Sequence, residues 1–541
     1  MTSLRKNRTF FIAFFIALIF SSCREQSCKY DYLYQDLPFG MEKIPVPVFP
    51  ENTVDILDFG GVPDGVSLNT EAFAKAMLAL SEKGGGTLVV PSGIWYTGPV
   101  VFKSNINLRL EKGALILFSA DFDLYPLVNT VFEGLDTRRC QSLVSGRNLE
   151  NIAITGEGSI NGSGEAWRFL KKDKVTEKHW NKVVKSGGVV KNDIWFPSES
   201  SLKGFEISDM NVPNGDLSEE KWLEIKDFLR PAMLNFIECK NVLLSGVLFE
   251  NSPAWNLHPL MCENVIVDNI FVRNPGYAQN GDGLDLESCI NTIIVNSTFD
   301  VGDDAICIKS GKDEDGRRRA RPTENVIVDN CKVFQGHGGF VVGSEMSGGV
   351  KNISVSNCQF LGTDVGLRFK SRRGRGGVVE NIYIRDINMF DIATESFLFD
   401  LYYGGKSAVE ALEDGNDKSN KENTVFKVDE TTPAFRNIYV NNLISRNVRR
   451  AMYFNGLPEM KINNINVENV VITSTYGAEL SESENIVFKN VKIIPCKGEA
   501  LLLNNVDGLT VESFQYPGDM KDVVKMAGKN NNINLPENLK N

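Results

Sequence analysis

The chain has 541 residues with an ordinary content of 42% hydrophobic and 23% charged residues, and it carries a formal net charge of −11. This length allows a large core or several domains, and the acidic balance argues against general nucleic-acid binding. The 47 glycines favour many turns over long helices. None of the ten cysteines forms a CxxC pair. We therefore expect buried small side chains and neither zinc ligands nor disulfides.

The first 22 residues predict a signal peptide, because basic residues precede an apolar run, 9–20, that is too short for a comfortable transmembrane span. The sequence SSC ending at Cys23 resembles a lipoprotein cleavage site. This favours lipidation of Cys23 over ordinary secretion. Residues 23–50 then predict a lipidated tether. The protein would be exported and anchored to a membrane, facing the periplasm or the cell surface of a Gram-negative bacterium.

One folded domain is predicted from residue 51 to residue 524, beginning with a short helix. Phe73, Ala76, Met77 and Leu80 fall at the spacing of one apolar helical face. Short strands punctuated by Gly and Pro follow this helix. We expect the helix to cap the open end of a stack of strands, which would otherwise invite aggregation.

A short pattern recurs along the chain: Asn, alternating apolar residues, and then usually Asn, Gly or Asp. The closest copies begin 21 to 34 residues apart. This period, with strands and not helices, predicts an all-β fold, a right-handed parallel β-helix. An antiparallel sandwich would need hairpin turns such as Asn-Gly, and few occur. The repeated Asn is expected to adopt left-handed backbone geometry and to hydrogen-bond along the stack. The copies begin at Asn151, Asn241, Asn264, Asn291, Asn325, Asn352, Asn381, Asn437, Asn464 and Asn485.

Two long insertions interrupt the repeat, at about 163–230 and 395–433. Loops of this length are usually functional or disordered. We expect the first to be ordered and to wall a cleft, with a helix over 219–229, and the second to be partly mobile. Tyr402 and Tyr403 offer aromatic rings that could stack on a ligand. Residues 525–541 are polar and predict a peripheral tail.

Several polar residues occupy similar phases of successive repeats. Asp282 lies 18 residues after the start of its repeat, and Asp303 and His337 each lie 12 residues after theirs. Arg368 and Lys370 lie 16 and 18 residues after theirs. Stacked coils are about 4.8 Å apart, so these side chains are expected to form one patch. A single residue of any of these types is more often structural or solvent-exposed. The shared phase of these residues is what indicates a functional site.

Four ordered motifs resemble those of glycoside hydrolase family 28, the polygalacturonases. They are Asn280-Gly-Asp282-Gly, Gly302-Asp303-Asp304, Gly336-His337-Gly338 and Arg368-Phe-Lys370. The resemblance extends from about Val54 to Val511 and includes the opening DFGGVPDG segment. It departs at Gly281, where the family often has Thr, and at Phe369, where it often has Ile.

The resemblance implies hydrolysis of the α-1,4-galacturonosidic bonds of pectin, with inversion and without a metal or other cofactor. Asp303 would be the general acid, Asp282 and Asp304 would hold and deprotonate the attacking water, and His337 would tune the acid. The residues alone agree that three close carboxylates cannot all ionise freely, so that one is kept protonated. A separation of one coil, however, is nearer the short spacing associated with retention.

Cations and a second histidine complete the predicted substrate site. By the resemblance, Arg368 and Lys370 grip the substrate, and their charge suits a uronate. Lys309 and the Arg-rich segments at 317–321 and 372–375 predict attraction of a polyanion. His258 lies 17 residues after the start of its repeat. It predicts either a wall of the sugar site or a structural residue.

Two other functions are weighed against hydrolysis. A pectate lyase would use the Asp cluster to bind Ca²⁺, and a non-catalytic β-helix would only bind polysaccharide. The Gly-His-Gly and Arg-x-Lys motifs favour the hydrolase. The insertions on both sides of the catalytic coils, and the form NGDGLDLESC, predict an exo-acting enzyme. The expected partner is a pectic polysaccharide or oligogalacturonide, and the chain is expected to be a monomer.

Overall fold

The structure is a computed structural model that describes residues 29–209, 211–213, 215–404 and 424–539. Most of these residues wind into one right-handed parallel β-helix, which confirms the predicted fold class. Each coil contributes one strand to each of three parallel sheets, and every strand pairs with the equivalent strand of the next coil. The predicted signal peptide and Cys23 lie outside the described residues.

Sheet 1 carries the polar motifs of the sequence. Its separate strands are Val100–Val101, Val144–Arg147, Leu234–Ile237, Leu257–Leu260, Leu284–Glu287, Asp304–Lys309, Gly338–Gly343 and Leu367–Lys370.

Sheet 2 contains the repeated asparagines. Its separate strands are Thr53–Asp55, Gly86–Val90, Ile106–Leu110, Glu150–Gly156, Lys240–Ser245, Glu263–Asp268, Ile290–Val295, Thr323–Asp329 and Val350–Ser356.

Sheet 3 closes the coil. Its separate strands are Gly93–Thr97, Ala114–Phe118, Ser159–Asn161, Leu248–Glu250, Phe271–Arg273, Thr298–Asp300, Lys332–Val333 and Gln359–Leu361. Three long strands, Val378–Asp400, Ala434–Asn455 and Ile462–Val511, then pass through all three sheets.

The repeated asparagines form a ladder along the stack. Asn264 donates from Nδ2 to Oδ1 of Asn241 at 2.9 Å, and Asn325 donates to Asn291 at 3.1 Å. The backbone of Asn264 has a φ of 57°, in the left-handed region that Asn tolerates. The ladder confirms the expected role of the repeated asparagine.

The first helix, α1 (Thr70–Glu82), covers the amino-terminal end of the stack as predicted. Phe73, Ala76, Met77 and Leu80 are each at most 1% exposed. The side chain of Asn69 does not cap this helix, because its Oδ1 accepts from the Val62 backbone N–H. Burying these side chains contributes about 1.5–3 kcal/mol for each large one.

Residues 29–50 differ from the expected tether. Tyr30, Leu33 and Ile44 are buried against the outer surface of sheet 2, where they contact apolar residues such as Ile266 and Ile293. The segment has one turn of 3₁₀ helix, Asp31–Tyr34, and no apolar periodicity that would have indicated its packing.

The carboxyl-terminal residues also differ from the expected peripheral tail. Strands Val524–Ala527 and Asn531–Asn534 pair with Ile462–Val511, and Phe514–Gln515 precedes them. Leu535 and Leu539 are buried on the core. These residues therefore continue and cover the last coil.

The first insertion is ordered and has its own small core. It contains α2 (Glu177–Lys185), α3 (Glu199–Ile207) and α4 (Glu219–Glu224). Its strands are Leu170–Lys171, Val189–Lys191, Ile194–Phe196, Ser208–Asp209 and Val212–Pro213. A hairpin of strands Leu127–Phe132 and Leu135–Cys140 precedes it, and α5 (Asp313–Arg319) follows the strand Asp304–Lys309. Residues 405–423 of the second insertion lie outside the described residues.

Among the described residues, no helix combines the length and apolarity that crossing a bilayer demands. The six cysteines within the repeats are free thiols and buried, as expected: Cys239, Cys262, Cys289, Cys307, Cys331 and Cys358.

Candidate active site

A pocket of about 420 Å³ lies on the outer surface of sheet 1. Its floor is formed by Asp282, Asp303, Asp304, Lys309 and Lys370, which come from successive coils. The β-helix brings them together because equivalent positions of adjacent coils are neighbours in the sheet, as the pairing of Asp304 with Gly338 illustrates.

The three aspartates converge at the centre of the pocket. One carboxylate oxygen from each of Asp282, Asp303 and Asp304 lies within 4.8 Å of the other two. Asp282 and Asp304 are buried, whereas the Asp303 side chain is 18% exposed. Asp303 is therefore the aspartate best placed to touch a molecule in the pocket.

Asp304 is held ionised by two cations. Lys370 Nζ donates to Oδ2 at 2.6 Å, and Arg368 Nη1 donates to Oδ1 at 3.2 Å. Burial opposes the ionisation of Asp304, but Lys370 and Arg368 outweigh it and hold the pKa of Asp304 well below its usual range. Arg368 and Lys370 thus serve this carboxylate, whereas the sequence predicted contacts with substrate.

Asp303 and His337 form a second ionisable pair. His337 Nδ1 lies 2.9 Å from Asp303 Oδ1, and the His337 backbone N–H donates to the Asp303 carbonyl oxygen. Burial opposes both charges, but their attraction lowers the pKa of Asp303 and raises the pKa of His337. Asp364 on the next coil lies 4.0 Å from His337 Nε2 and adds to this attraction.

Asp282 has an acidic neighbour that the sequence did not single out. Asp285 is buried three residues along the chain from Asp282, and neither of its carboxylate oxygens has a hydrogen-bond partner among the described residues. Burial and the charges of Asp285 and Asp303 raise the pKa of Asp282 well above its usual range, and burial and the charge of Asp304 raise the pKa of Asp285. Both shifts favour the protonated form, so these two carboxyls are the ones in the aspartate cluster that hold a proton most readily.

Lys309 is a pocket residue with buried acidic partners. Its Nζ lies 2.9 Å from Glu345 Oε2 and 3.5 Å from Asp285 Oδ1, and it faces the ring of Trp255. Burial disfavours the Glu345 charge, but Lys309 and Arg375 lower the pKa of Glu345. The positive charge of Lys309 is therefore compensated by its buried acidic partners, Glu345 and Asp285.

His258 does not reach the pocket. It is 1% exposed, its Nε2 lies 2.9 Å from Glu287 Oε2, and its Nδ1 lies 3.0 Å from Asn235 Nδ2. The ring of Trp255 packs against it at 4.9 Å and lines the pocket in its place. Of the two roles predicted for His258, these contacts favour the structural one, because its phase in the coil is right but its side chain is buried among Trp255, Glu287 and Asn235.

The Arg-rich segments are also engaged in structural ion pairs. Arg319 pairs with Asp136 and Glu287, and Arg375 pairs with Asp313. These contacts fasten α5 and the loop after Lys370 to the β-helix. These ion pairs partly neutralise the positive charge that the sequence predicted would attract a polyanion.

The first insertion forms one wall of the pocket, as predicted. It contributes Phe169, Lys171, Phe205, Ser208, Asn211 and Phe228. Tyr403, from the start of the second insertion, also lines the pocket, with its ring 4.8 Å from Lys370 Nζ. Both insertions therefore contribute residues to the pocket.

A chain of hydrogen bonds, which we call the clasp, joins the hairpin, the insertion and the coil that carries Asp282. Asn211 Nδ2 donates to Glu133 Oε1 at 2.8 Å, and Arg230 Nη2 donates to Asn211 Oδ1 at 3.3 Å. Arg230 also donates to Asn280 Oδ1 at 2.8 Å. The clasp consists of Glu133, Asn211, Arg230 and Asn280. Sequence reasoning missed it because its members are far apart in the chain.

The aspartate cluster is a poor fit for Ca²⁺. Both oxygens of Asp304 already accept hydrogen bonds from Arg368 and Lys370. A divalent ion at the cluster would stand close to these two cations, whereas Ca²⁺ prefers six to eight uncommitted oxygen ligands. The donor set is better suited to protons and water than to a metal.

Comparison with known proteins agrees with this geometry. Residues 225–420 match the family "Glycosyl hydrolases family 28". A protein of Vitis vinifera described as "Probable polygalacturonase" is 28% identical over 431 residues, which cover 78% of this chain and 74% of that protein. The "Exo-poly-alpha-D-galacturonosidase" of Dickeya chrysanthemi is 27% identical over 365 residues, which cover 65% of this chain and 57% of that protein.

Solved structures share the fold. A hyperthermoactive exopolygalacturonase from Thermotoga maritima superposes with a TM-score of 0.64 at 29% identity, covering 88% of this chain and 94% of that chain. The family 28 exopolygalacturonase of Yersinia enterocolitica superposes with a TM-score of 0.68 at 22% identity, covering 86% and 79%. The family match spans all four motifs of the pocket. Over residues 225–420, the part that holds all four motifs, the chain is similar to family 28 of the glycosyl hydrolases.

Proposed function

We propose that this protein hydrolyses the α-1,4-galacturonosidic bonds of polygalacturonate or its oligosaccharides, releasing units from the non-reducing end. The observation that carries the proposal is the aspartate cluster in the pocket. It combines an ionised carboxylate (Asp304), two carboxyls whose raised pKa values favour protonation (Asp282 and Asp285) and a more exposed carboxyl next to a histidine (Asp303 and His337). Hydrolysis of a glycosidic bond requires both a proton donor and a proton acceptor.

Asp303 protonates the oxygen of the leaving sugar as the bond from that oxygen to the anomeric carbon breaks. Asp303 and His337 attract a proton jointly, since His337 has a raised pKa beside this carboxylate. The shared proton moves to Asp303 and then to the leaving oxygen, which departs as a hydroxyl group. His337 is a positioning residue, because it acts on Asp303 through Nδ1.

Asp304 accepts the proton of the attacking water while the water oxygen bonds to the anomeric carbon. Lys370 and Arg368 keep Asp304 ionised, because they hold its pKa well below the usual range. Asp282 holds the same water with a neutral carboxyl group, since its pKa is raised by burial and by Asp285. The two residues thereby divide the role that the family resemblance gives them jointly.

Inversion follows from the state of Asp304. The close approach of the aspartates resembles the short separation of retaining enzymes. A nucleophile, however, needs a free oxygen facing the anomeric carbon, and both Asp304 oxygens accept hydrogen bonds from cations. Water activated by Asp304 is the better nucleophile in this geometry.

The exo mode of attack is supported by the pocket walls. The first insertion and the clasp line the side of the pocket next to the preceding coils, so we expect a bound polymer to extend toward the following coils. The names of the Dickeya and Thermotoga relatives describe exo-acting enzymes, which agrees with this direction.

A time course on polygalacturonate tests the activity and its mode together. We expect galacturonate monomer as the main product from the first minutes, with little early loss of viscosity, because one chain end at a time enters the pocket. Chromatography and viscometry measure this, and NMR of the first product gives its anomeric configuration. Early mixed oligomers would contradict the exo mode. Unsaturated products sensitive to a chelator would favour the lyase instead.

We also propose that the protein is anchored through lipid on Cys23. The motif that supports this is SSC after a short apolar run. Cys23→Ser is expected to move the protein from the membrane fraction to the soluble fraction, because the variant cannot be acylated. Cys28→Ser is the matched control. Immunoblotting of the fractions measures the effect, and unchanged membrane association would exclude Cys23 as the anchor.

A further inference from the structure

Glu133 is a buried acid in the pocket that none of the four motifs includes. It lies at the tip of the hairpin Leu127–Phe132 and Leu135–Cys140, lines the same pocket as the three aspartates, and is 5% exposed. Oε1 accepts from Asn211, whereas Oε2 has no hydrogen-bond partner among the described residues. A buried carboxylate oxygen without a hydrogen-bond partner is costly unless a ligand supplies one.

The hairpin tip is fixed, so Glu133 cannot easily turn away from the pocket. The Lys312 backbone N–H donates to the Gly134 carbonyl oxygen, and a Cβ on Gly134 would stand 2.5 Å from that same nitrogen. Phe132 packs against Trp255 with ring centroids 4.5 Å apart. The tip therefore presents the Glu133 carboxyl at a defined place beside the floor of the pocket.

Neighbouring cations compensate the negative charge of Glu133 only in part. Burial raises its pKa to about 7, although Lys312 Nζ at 3.8 Å from Oε2 opposes this shift. At neutral pH the carboxyl is therefore divided between its two protonation states. Both states can accept a hydrogen bond from a sugar hydroxyl, and the ionised state repels the carboxylate of another uronate.

We propose that Glu133 is a specificity-determining residue that accepts a hydrogen bond from the free hydroxyl of the terminal sugar and excludes a further uronate beyond it. The site would then distinguish a non-reducing end, which has a free hydroxyl at this position, from an internal sugar, which has a glycosidic bond there. This inference rests on the proposed hydrolysis of galacturonosidic bonds and specifies how that site recognises its substrate. The clasp would hold Glu133 at the correct distance through Asn211.

Oligogalacturonides with an unsaturated terminal sugar test this recognition, because that sugar lacks the hydroxyl at carbon 4. The parent enzyme is expected to cleave the saturated oligomer at least about tenfold faster, as kcat/KM, than the unsaturated oligomer of equal length, because a charged hydrogen bond is lost. Glu133→Ala is expected to lose most of this preference, chiefly by slower cleavage of the saturated oligomer.

Glu133→Gln separates charge from hydrogen bonding. Its amide can still bond to Asn211 and to a hydroxyl, so it is expected to retain most of the preference while releasing some digalacturonate from polygalacturonate. Glu238→Ala is the matched control, since Glu238 is a turn residue with a φ of 55° that is exposed and outside the pocket. It should behave as the parent does.

The outcomes distinguish the two proposals. A parent enzyme that releases no galacturonate from either oligomer would overturn the proposed function. A parent that releases galacturonate without preferring the saturated end would overturn the role of Glu133 alone. So would a folded Glu133→Ala variant that keeps the parent's preference. If Glu133→Ala does not fold, the monomer-to-dimer product ratio of Glu133→Gln decides: a ratio equal to that of the parent contradicts the inference.

Discussion

Asp303→Asn is expected to lower kcat on oligogalacturonides by at least about 10²–10⁴-fold, the usual contribution of a general acid. The side chain is 18% exposed and bonded through one oxygen to His337, so the amide fits the same space. The fold should be unchanged because the strands beneath it pair through their backbones. Reducing-sugar release measures the activity, and circular dichroism together with thermal unfolding measures the fold.

The matched control for this variant is Asp300→Asn, three residues upstream at the end of a sheet 3 strand and outside the pocket. It should retain the activity of the parent. Turnover by Asp303→Asn within a few fold of the parent would refute the assignment of Asp303 as the acid. A large loss in both variants would indicate damage to the coil and would remove the evidence for a catalytic role.

Lys370→Met is expected to reduce both activity and stability, because it removes the closer cation from Asp304. The pKa of Asp304 is lowered in the parent despite burial, with Lys370 as its main opposing influence. Without Lys370 this pKa rises, so the acid limb of the kcat profile moves to higher pH. Breaking a buried pair costs about 3–5 kcal/mol, and Arg368 should keep the loss near the lower value.

The pH dependence of stability follows from the same pair. A depressed pKa contributes stability that is present above the unfolded value of about 4 and is lost as the pH falls through the folded pKa. Lys370→Met should therefore lose stability at neutral pH and depend less on pH below about 4. Lys351→Met is the control, since Lys351 forms a partly exposed ion pair with Glu324 that lies outside the pocket and contributes about 1 kcal/mol. Equal effects of the two variants on the pH profile and the unfolding free energy would contradict the proposed role.

The fold was predictable from sequence because one residue type marks every coil. The asparagines at the start of the sheet 2 strands repeat, and both their φ values and their ladder follow from that position. The site was predictable in outline because residues at equal phases of successive coils must be neighbours. Asp303 and His337 illustrate this, since both lie 12 residues after the start of their repeats and bond to each other.

The remainder of the site depended on contacts that phase alone does not encode. His258 has the correct phase but lies under Trp255. Lys370 points into the pocket, yet its charge is committed to Asp304. Glu133 precedes the catalytic coils by about 150 residues and enters the pocket only because an antiparallel hairpin folds over sheet 1. Tertiary packing decided each of these outcomes.

The packing of residues 29–50 on sheet 2 limits how far the enzyme could reach from a membrane. Lys29 is already fixed there by an ion pair with Asp268. Five residues lie between it and Cys23, and a fully extended chain over these six steps spans at most about 20 Å. An acylated Cys23 would therefore keep the back of the β-helix close to the lipid surface and turn a different face, sheet 1, toward incoming polymer. Such an enzyme would cleave soluble polysaccharide chains that reach the bilayer and could not reach polymer in a distant cell wall.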